Sequence, residues 1–96
     1  MNRAEIIELL ASRRVELTRQ FGVRRLALFG SVARGEATPA SDVDVLVEFE
    51  GAASSRRYFG LQFYIEDLLG RPVDLVTTKA LRAELRPAIE AEAVYV

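Results

Sequence analysis

The stretch "DVDVLVEF", residues 42–49, constrains this chain more than any other. Val43, Val45, Val47 and Phe49 alternate with Asp42, Asp44, Leu46 and Glu48, the period of a β-strand with one apolar face. Aspartate is poor in strands and costly to bury without a partner. Two of them at the mouth of such a strand therefore ask for a compensating positive charge. Residues i and i+2 share a face with Cα atoms roughly 6.6 Å apart, so both carboxylates can converge on one point or on two neighbouring points. Asp74, inside the apolar run "PVDLVT" (72–77), repeats the theme. Taken singly, Asp42 reads equally well as a turn residue after Pro39, and Asp74 as a solvent-facing edge residue. Together the three point to a divalent cation.

The chain narrows which cation. It has no histidine and no cysteine among its 96 residues, which removes the usual zinc ligands, thiol nucleophiles and disulfides. Oxygen ligation leaves Mg²⁺, Mn²⁺ or Ca²⁺. Paired metal ions in phosphoryl-type transfer sit about 3.5–4 Å apart, a spacing that carboxylates two residues apart on a strand suit. The net charge of −1 argues against an extended nucleic-acid surface, though not against a small anion pocket. The opening "MNRAEIIELLASRR" mixes acids and arginines with apolar residues, so it reads as neither a signal peptide nor a membrane span. A cytoplasmic protein of one domain, residues 1–96, is expected.

Around the acids, the pattern predicts a helix over 3–20 capped by Asn2, with Ile6, Leu10, Leu17 and Phe21 on one face and Gly22 as its stop. Strands are predicted at 25–29, 43–49 and 72–77, a helix at about 56–69 ending at Gly70, and helix again at 78–85. Pro87 suits the first turn of a further short helix, and "AVYV" an edge strand. This order gives an α/β (α+β) sandwich with a small mixed sheet flanked by helices. In the 56–69 helix, Leu61, Tyr64, Ile65, Leu68 and Leu69 form one stripe. Phe59 and Phe63 fall on the opposite side, either covered by the terminal helices or exposed as an interface with another subunit or a partner. The arginine pairs 13–14, 24–25 and 56–57 read as solvated helix ends or faces.

Gly30-Ser31 closes the first strand, with ten residues between it and Asp42. Ser31 is a good N-cap, so a short helix is expected to start there and present free N–H groups to an anion. Gly30 permits close backbone approach, and Arg34, one turn on, can reach a phosphate or a nearby acid. By itself this is an ordinary strand-to-helix turn.

The combination "GSVARGEATPASDVDVLVEF", followed by "RPVDLVT", resembles the minimal nucleotidyltransferase branch of the polymerase-β-like nucleotidyltransferase superfamily, over nearly the whole chain. The resemblance implies that fold and a nucleotidyl transfer, in which an acceptor hydroxyl attacks the α-phosphorus of a nucleoside triphosphate such as ATP. It implies that Asp42 and Asp44 hold two Mg²⁺ ions (or Mn²⁺), that Asp74 completes the catalytic ion's shell and helps remove the acceptor's proton, and that Gly30 and Ser31 hold the β- and γ-phosphates. Arg34 is expected to support phosphate or acid, and Ser41 to orient the start of the strand. Family members of this size are often encoded beside a HEPN-domain protein, and some act as antitoxins by adenylylating a tyrosine on it. Two other readings stay open: a non-catalytic subunit that neutralises its partner by complex formation, and a transferase acting on small molecules such as antibiotics, whose acceptor site a dimer or other homo-oligomer could build.

Overall fold

The computed structural model describes residues 1–96. Helix α1 (Arg3–Ser12) begins where the sequence places it: Asn2 accepts from the Glu5 N–H at 2.9 Å while the Glu5 carboxylate accepts from the Asn2 N–H at 3.0 Å. Each side chain thereby satisfies one of the free donors of the first turn. The predicted single helix over 3–20 is in fact two, with α2 (Arg14–Phe21) starting after a break at Arg13. Ser12 supplies the reason. Its hydroxyl donates back to the Leu9 carbonyl at 2.6 Å, and the Arg13 N–H tightens onto the Leu10 carbonyl, so the regular ladder is lost. Both pieces still bury the predicted face through Ile6, Leu10 and Leu17. Gly22 ends α2 in the left-handed region at φ 65°.

Strand β1 (Val23–Phe29) follows, then the one-turn helix α3 (Gly30–Ala33) and strand β2 (Val43–Phe49), whose bounds match the sequence pattern. Helix α4 (Ser55–Leu69) crosses over to β3 (Val73–Thr77), and α5 (Arg86–Glu92) leads to β4 (Val94–Tyr95). The sheet order is β3-β2-β1-β4, with β2–β3 parallel and the other two pairs antiparallel. Residues 78–85 do not form the predicted helix. A single 3₁₀ turn at Thr78–Ala80 stops at Leu81, whose backbone is extended. Leu85 stays exposed, and a short segment with so little to bury cannot offset the cost of helix nucleation.

The core lies between the sheet and helices α1, α2 and α4. Val43, Val45 and Val47 meet Leu26 and Leu28 from β1, and Ile6, Leu10, Leu17, Leu61 and Ile65 cover them. Full burial of each such side chain contributes about 1.5–3 kcal/mol, enough to fix the register that fixes the acids. Arg57, expected to be solvated, works inside the fold. Its guanidinium donates to the carbonyls of Phe21, Gly22, Glu50 and Ala52, tying the α2 terminus to the loop before α4. On the open edge of β3, α4 lays down Tyr58, Gln62 and Glu66. Gln62 donates to the Val73 carbonyl at 3.0 Å, Glu66 accepts from the Val73 N–H at 2.9 Å, and the Tyr58 hydroxyl donates to the Leu75 carbonyl. This spacing of four residues repeats one face of the helix and leaves the edge less open to pairing with other chains. Phe59 and Phe63 project from the other side of α4, 51% and 60% exposed, their rings stacked at 6.5 Å; the terminal helices leave them uncovered. No helix is long and apolar enough to cross a membrane.

Candidate active site

Asp44 and Asp74 are direct register partners on the parallel strands β2 and β3, so their Cα atoms lie about 4.8 Å apart with side chains on the same face. Asp42 is the last residue before β2, exposed, one alternation away. Burial raises the Asp44 pKa above the ordinary carboxylate range, and the negative charges of Asp74 and Asp42 push it further the same way, against a weaker pull from Arg34. The three predicted acids are thus electrostatically in touch, and none of them forms an ion pair. No three acidic side chains converge closely enough in this arrangement to ligate one ion, as mutual repulsion of like charges would favour. The donor set is nonetheless all oxygen, anionic and on adjacent rigid strands, which fits a hard divalent cation.

The start of β2 is held from both sides. Ser41 accepts from the Thr38 N–H at 3.0 Å and shares a hydrogen bond with the Thr38 hydroxyl at 3.1 Å. Arg71 donates to the carbonyls of Ser41 at 2.6 Å and Thr38 at 3.1 Å. The Val43 N–H reaches the Pro72 carbonyl at 3.0 Å. Arg71 was not among the predicted residues. It precedes the Asp74 strand by one turn, and it fastens the loop that delivers Asp42, so one side chain sets the two acid-bearing segments against each other. Ser41 stands where the sequence reading puts it, at the start of the strand.

The Gly-Ser turn differs in detail from the expectation. Phe29, not Ser31, occupies the N-cap position, and the turn opens at Gly30 with Ser31 half-buried inside it. The reason is Gly30 itself, which adopts φ 69° and lets the chain turn directly out of the strand. Phe29 pairs with Asp44 across the β1–β2 ladder, and a Cβ at Gly30 would overlap the Asp44 carboxylate. The close approach that this glycine permits is therefore to Asp44. Its N–H is not free: it donates to Glu92 Oε1 at 2.9 Å. Arg34 reaches an acid, as one of its two expected roles, donating to Glu92 Oε2 at 3.0 Å and to Glu36 at 3.1 Å. These bonds hold the Glu92 carboxyl below its usual range, the Gly30 N–H contributing most and Arg34 next. They hold the Arg34 guanidinium more firmly protonated, through Glu92 and then Glu36.

Glu92 escaped the sequence reading. One signal was present: an acid at the last position of a helix opposes the helix dipole, so it asks for a donor. A separate cleft of about 520 Å³ between α1 and the 35–39 loop, lined by Met1, Glu5, Ile6, Val32 and Arg71 among others, contains none of the three aspartates.

Residues 10–96 match the model of the nucleotidyltransferase domain family. The protein adenylyltransferase MntA of Thermococcus cleftensis is 44% identical over 92 residues, 96% of this chain and 93% of that protein. A solved structure described as a minimal nucleotidyltransferase superposes with a TM-score of 0.79 at 38% identity, covering 98% of this chain and 95% of the other. A Shewanella oneidensis complex of a tri-AMPylated HEPN toxin with an MNT antitoxin shares the fold alone, with a TM-score of 0.65 at 19% identity over 92% of this chain and 69% of that one.

Proposed function

Because the chain belongs to the nucleotidyltransferase domain family, we propose that it transfers AMP from ATP to a tyrosine hydroxyl of a HEPN-type partner, as the antitoxin of a toxin–antitoxin pair. The observation that carries this reading is the register pairing of Asp44 with Asp74 beside the Gly30 turn. The likeness to a protein adenylyltransferase over nearly both full lengths supports the choice of reaction, and the toxin–antitoxin complex with the same fold supports the choice of partner. Since the reaction consumes ATP, the cytoplasm is its natural setting.

In this reading the acceptor oxygen forms a bond to the α-phosphorus, the bond from that phosphorus to the β-bridging oxygen breaks, and pyrophosphate leaves. In-line placement and charge neutralisation dominate such a transfer. Asp42, Asp44 and Asp74 would hold Mg²⁺, two ions in all, which supplies positive charge against the triphosphate and lowers the pKa of the attacking hydroxyl. Asp74, exposed at the sheet margin, would take the acceptor's proton. Asp44 is the more enclosed of the pair, wedged between β3 and Gly30, and fixes the geometry. Ser31, with Gly30, lines the turn that receives the β- and γ-phosphates, and Arg34 adds positive charge beside it. Phe59 and Phe63, stacked and exposed, form the aromatic patch that we assign to the partner.

Labelled ATP, Mg²⁺ and the product of the adjacent gene give the test. Wild type should place label on that product, and Asp42→Asn with Asp44→Asn should reduce labelling by at least about 10³-fold without loss of folding. Neutralisation that survives the double change would favour a binding-only antitoxin, for which the exposed aromatic pair is the specific support. Label on a small molecule instead would contradict the protein acceptor.

A further inference from the structure

We propose that Glu92 is a positioning residue for nucleotide binding: its carboxylate locks the Gly30 turn and aims the Arg34 guanidinium at the site. This rests on the nucleotidyltransferase reading above and adds a residue to it. The two carboxylate oxygens do different work. Oε1 accepts from the Gly30 N–H at 2.9 Å across 62 residues of sequence, and Oε2 accepts from Arg34 Nη1 at 3.0 Å. Gly30 is the residue whose Cα lies against the Asp44 carboxylate, so fixing its peptide also fixes the wall on which Asp44 rests. Arg34 has a side chain that is 45% exposed. Left alone it would spread over many rotamers, and losing that freedom on ordering opposes binding. Glu36 on one side and Glu92 on the other hold its fork in a single geometry before any ligand arrives.

The placement of Glu92 argues that the contact is built for this purpose. It is the last residue of α5, where the helix dipole disfavours a carboxylate. The same helix touches α3 and β1, the two elements that make the turn, and it is followed at once by β4, whose pairing with Ala27 and Leu28 anchors it. The C-terminal segment therefore reaches the site by backbone pairing and ends its helix with one acid on two donors of the turn.

The experiment measures AMP-PNP binding with Mg²⁺ by calorimetry, together with KM for ATP and kcat for transfer to the partner, in wild type, Glu92→Gln, Glu92→Ala, Arg34→Ala and the Glu92→Ala/Arg34→Ala pair. Thermal melts establish that each variant is folded. Glu92→Ala should weaken AMP-PNP binding and raise KM roughly tenfold, the order of one charge-assisted hydrogen bond, with kcat changed less than about threefold. Glu92→Gln keeps an acceptor for the Gly30 N–H and loses the charge facing Arg34, so it should fall between. With Arg34 already removed, the Glu92 change should cost measurably less. A lower melting temperature with unchanged KM would reduce Glu92 to a structural brace and overturn the inference. Tighter AMP-PNP binding in Glu92→Ala would overturn it in the other direction, making the carboxylate a competitor of phosphate. Wild type that binds no AMP-PNP would bring down the nucleotide reading itself, and this inference with it.

Discussion

Asp44 and Glu92 stand on either side of Gly30, and the fold treats them in opposite ways. Glu92 accepts from a backbone N–H and from an arginine, and its carboxyl is held below the usual range. Asp44 is enclosed, faces two further aspartates, and its carboxyl is driven up. One charge is satisfied by the chain and the other is left for something outside it. A protein selected for stability alone would pair or neutralise Asp44. That it keeps an uncompensated acid beside a braced turn separates what the chain needs in order to fold from what it needs in order to act. In the proposed transfer, the acid cluster is where folding energy is given up for chemistry.

The largest break in this comparison comes from Gly30→Ala. The new methyl would overlap the Asp44 carboxylate, and the residue would have to hold φ 69°. The expected cost is about 1–3 kcal/mol of stability, read from denaturant midpoints, together with loss of transfer activity, because Asp44 cannot stay in place.

Asp44→Asn sharpens the contrast by separating the two properties. Its raised native pKa means that ionisation opposes folding, so the metal-free protein should lose stability as pH rises from the ordinary carboxylate value through the higher native one. The asparagine variant should lack that decline. Above it the variant should be the more stable protein, by roughly 0.5 kcal/mol given solvent screening of a partly exposed group, while being inactive. Glu92 has the opposite sign: its stabilising contribution is present above the unfolded pKa and is lost as pH falls through the lower native value. Melting curves across acid pH on wild type, Asp44→Asn and Glu92→Gln check both directions. The smallest effect on the fold belongs to Phe59→Ser with Phe63→Ser. Both rings are exposed, so stability should change by less than about 0.5 kcal/mol, whereas affinity for the partner, measured by calorimetry, should drop.

The sequence made the uncompensated half of this contrast legible and largely hid the satisfied half. Val43, Val45 and Val47 alternate with Asp44 so regularly that β2 and its acid-bearing face follow from side-chain period alone, and Gly22, Gly70 and Asn2 mark the element ends through local chemistry. Asp44 and Asp74 could be grouped because both interrupt apolar strands. Their exact pairing depends on the parallel β2–β3 register, which α4 sets by burying Leu61 and Ile65. Glu92 and Arg71 act through backbone groups distant in sequence, and no local pattern announces such a partner. The break at Arg13 and the missing helix at 78–85 have different causes. In both places periodicity continues on paper, while a serine back-bond in one and too little apolar burial in the other decide the backbone.

The central claim is that Asp42, Asp44 and Asp74 bind divalent ions together with a triphosphate. Melting temperature against Mn²⁺ concentration, at neutral pH with AMP-PNP present, tests it most directly. A ligand that binds only the native state at 100 times its Kd stabilises by about 2.7 kcal/mol. Wild type should therefore rise by several degrees and saturate, and Asp42→Asn/Asp44→Asn should barely respond. Equal shifts in both proteins, or none in wild type, would contradict the account.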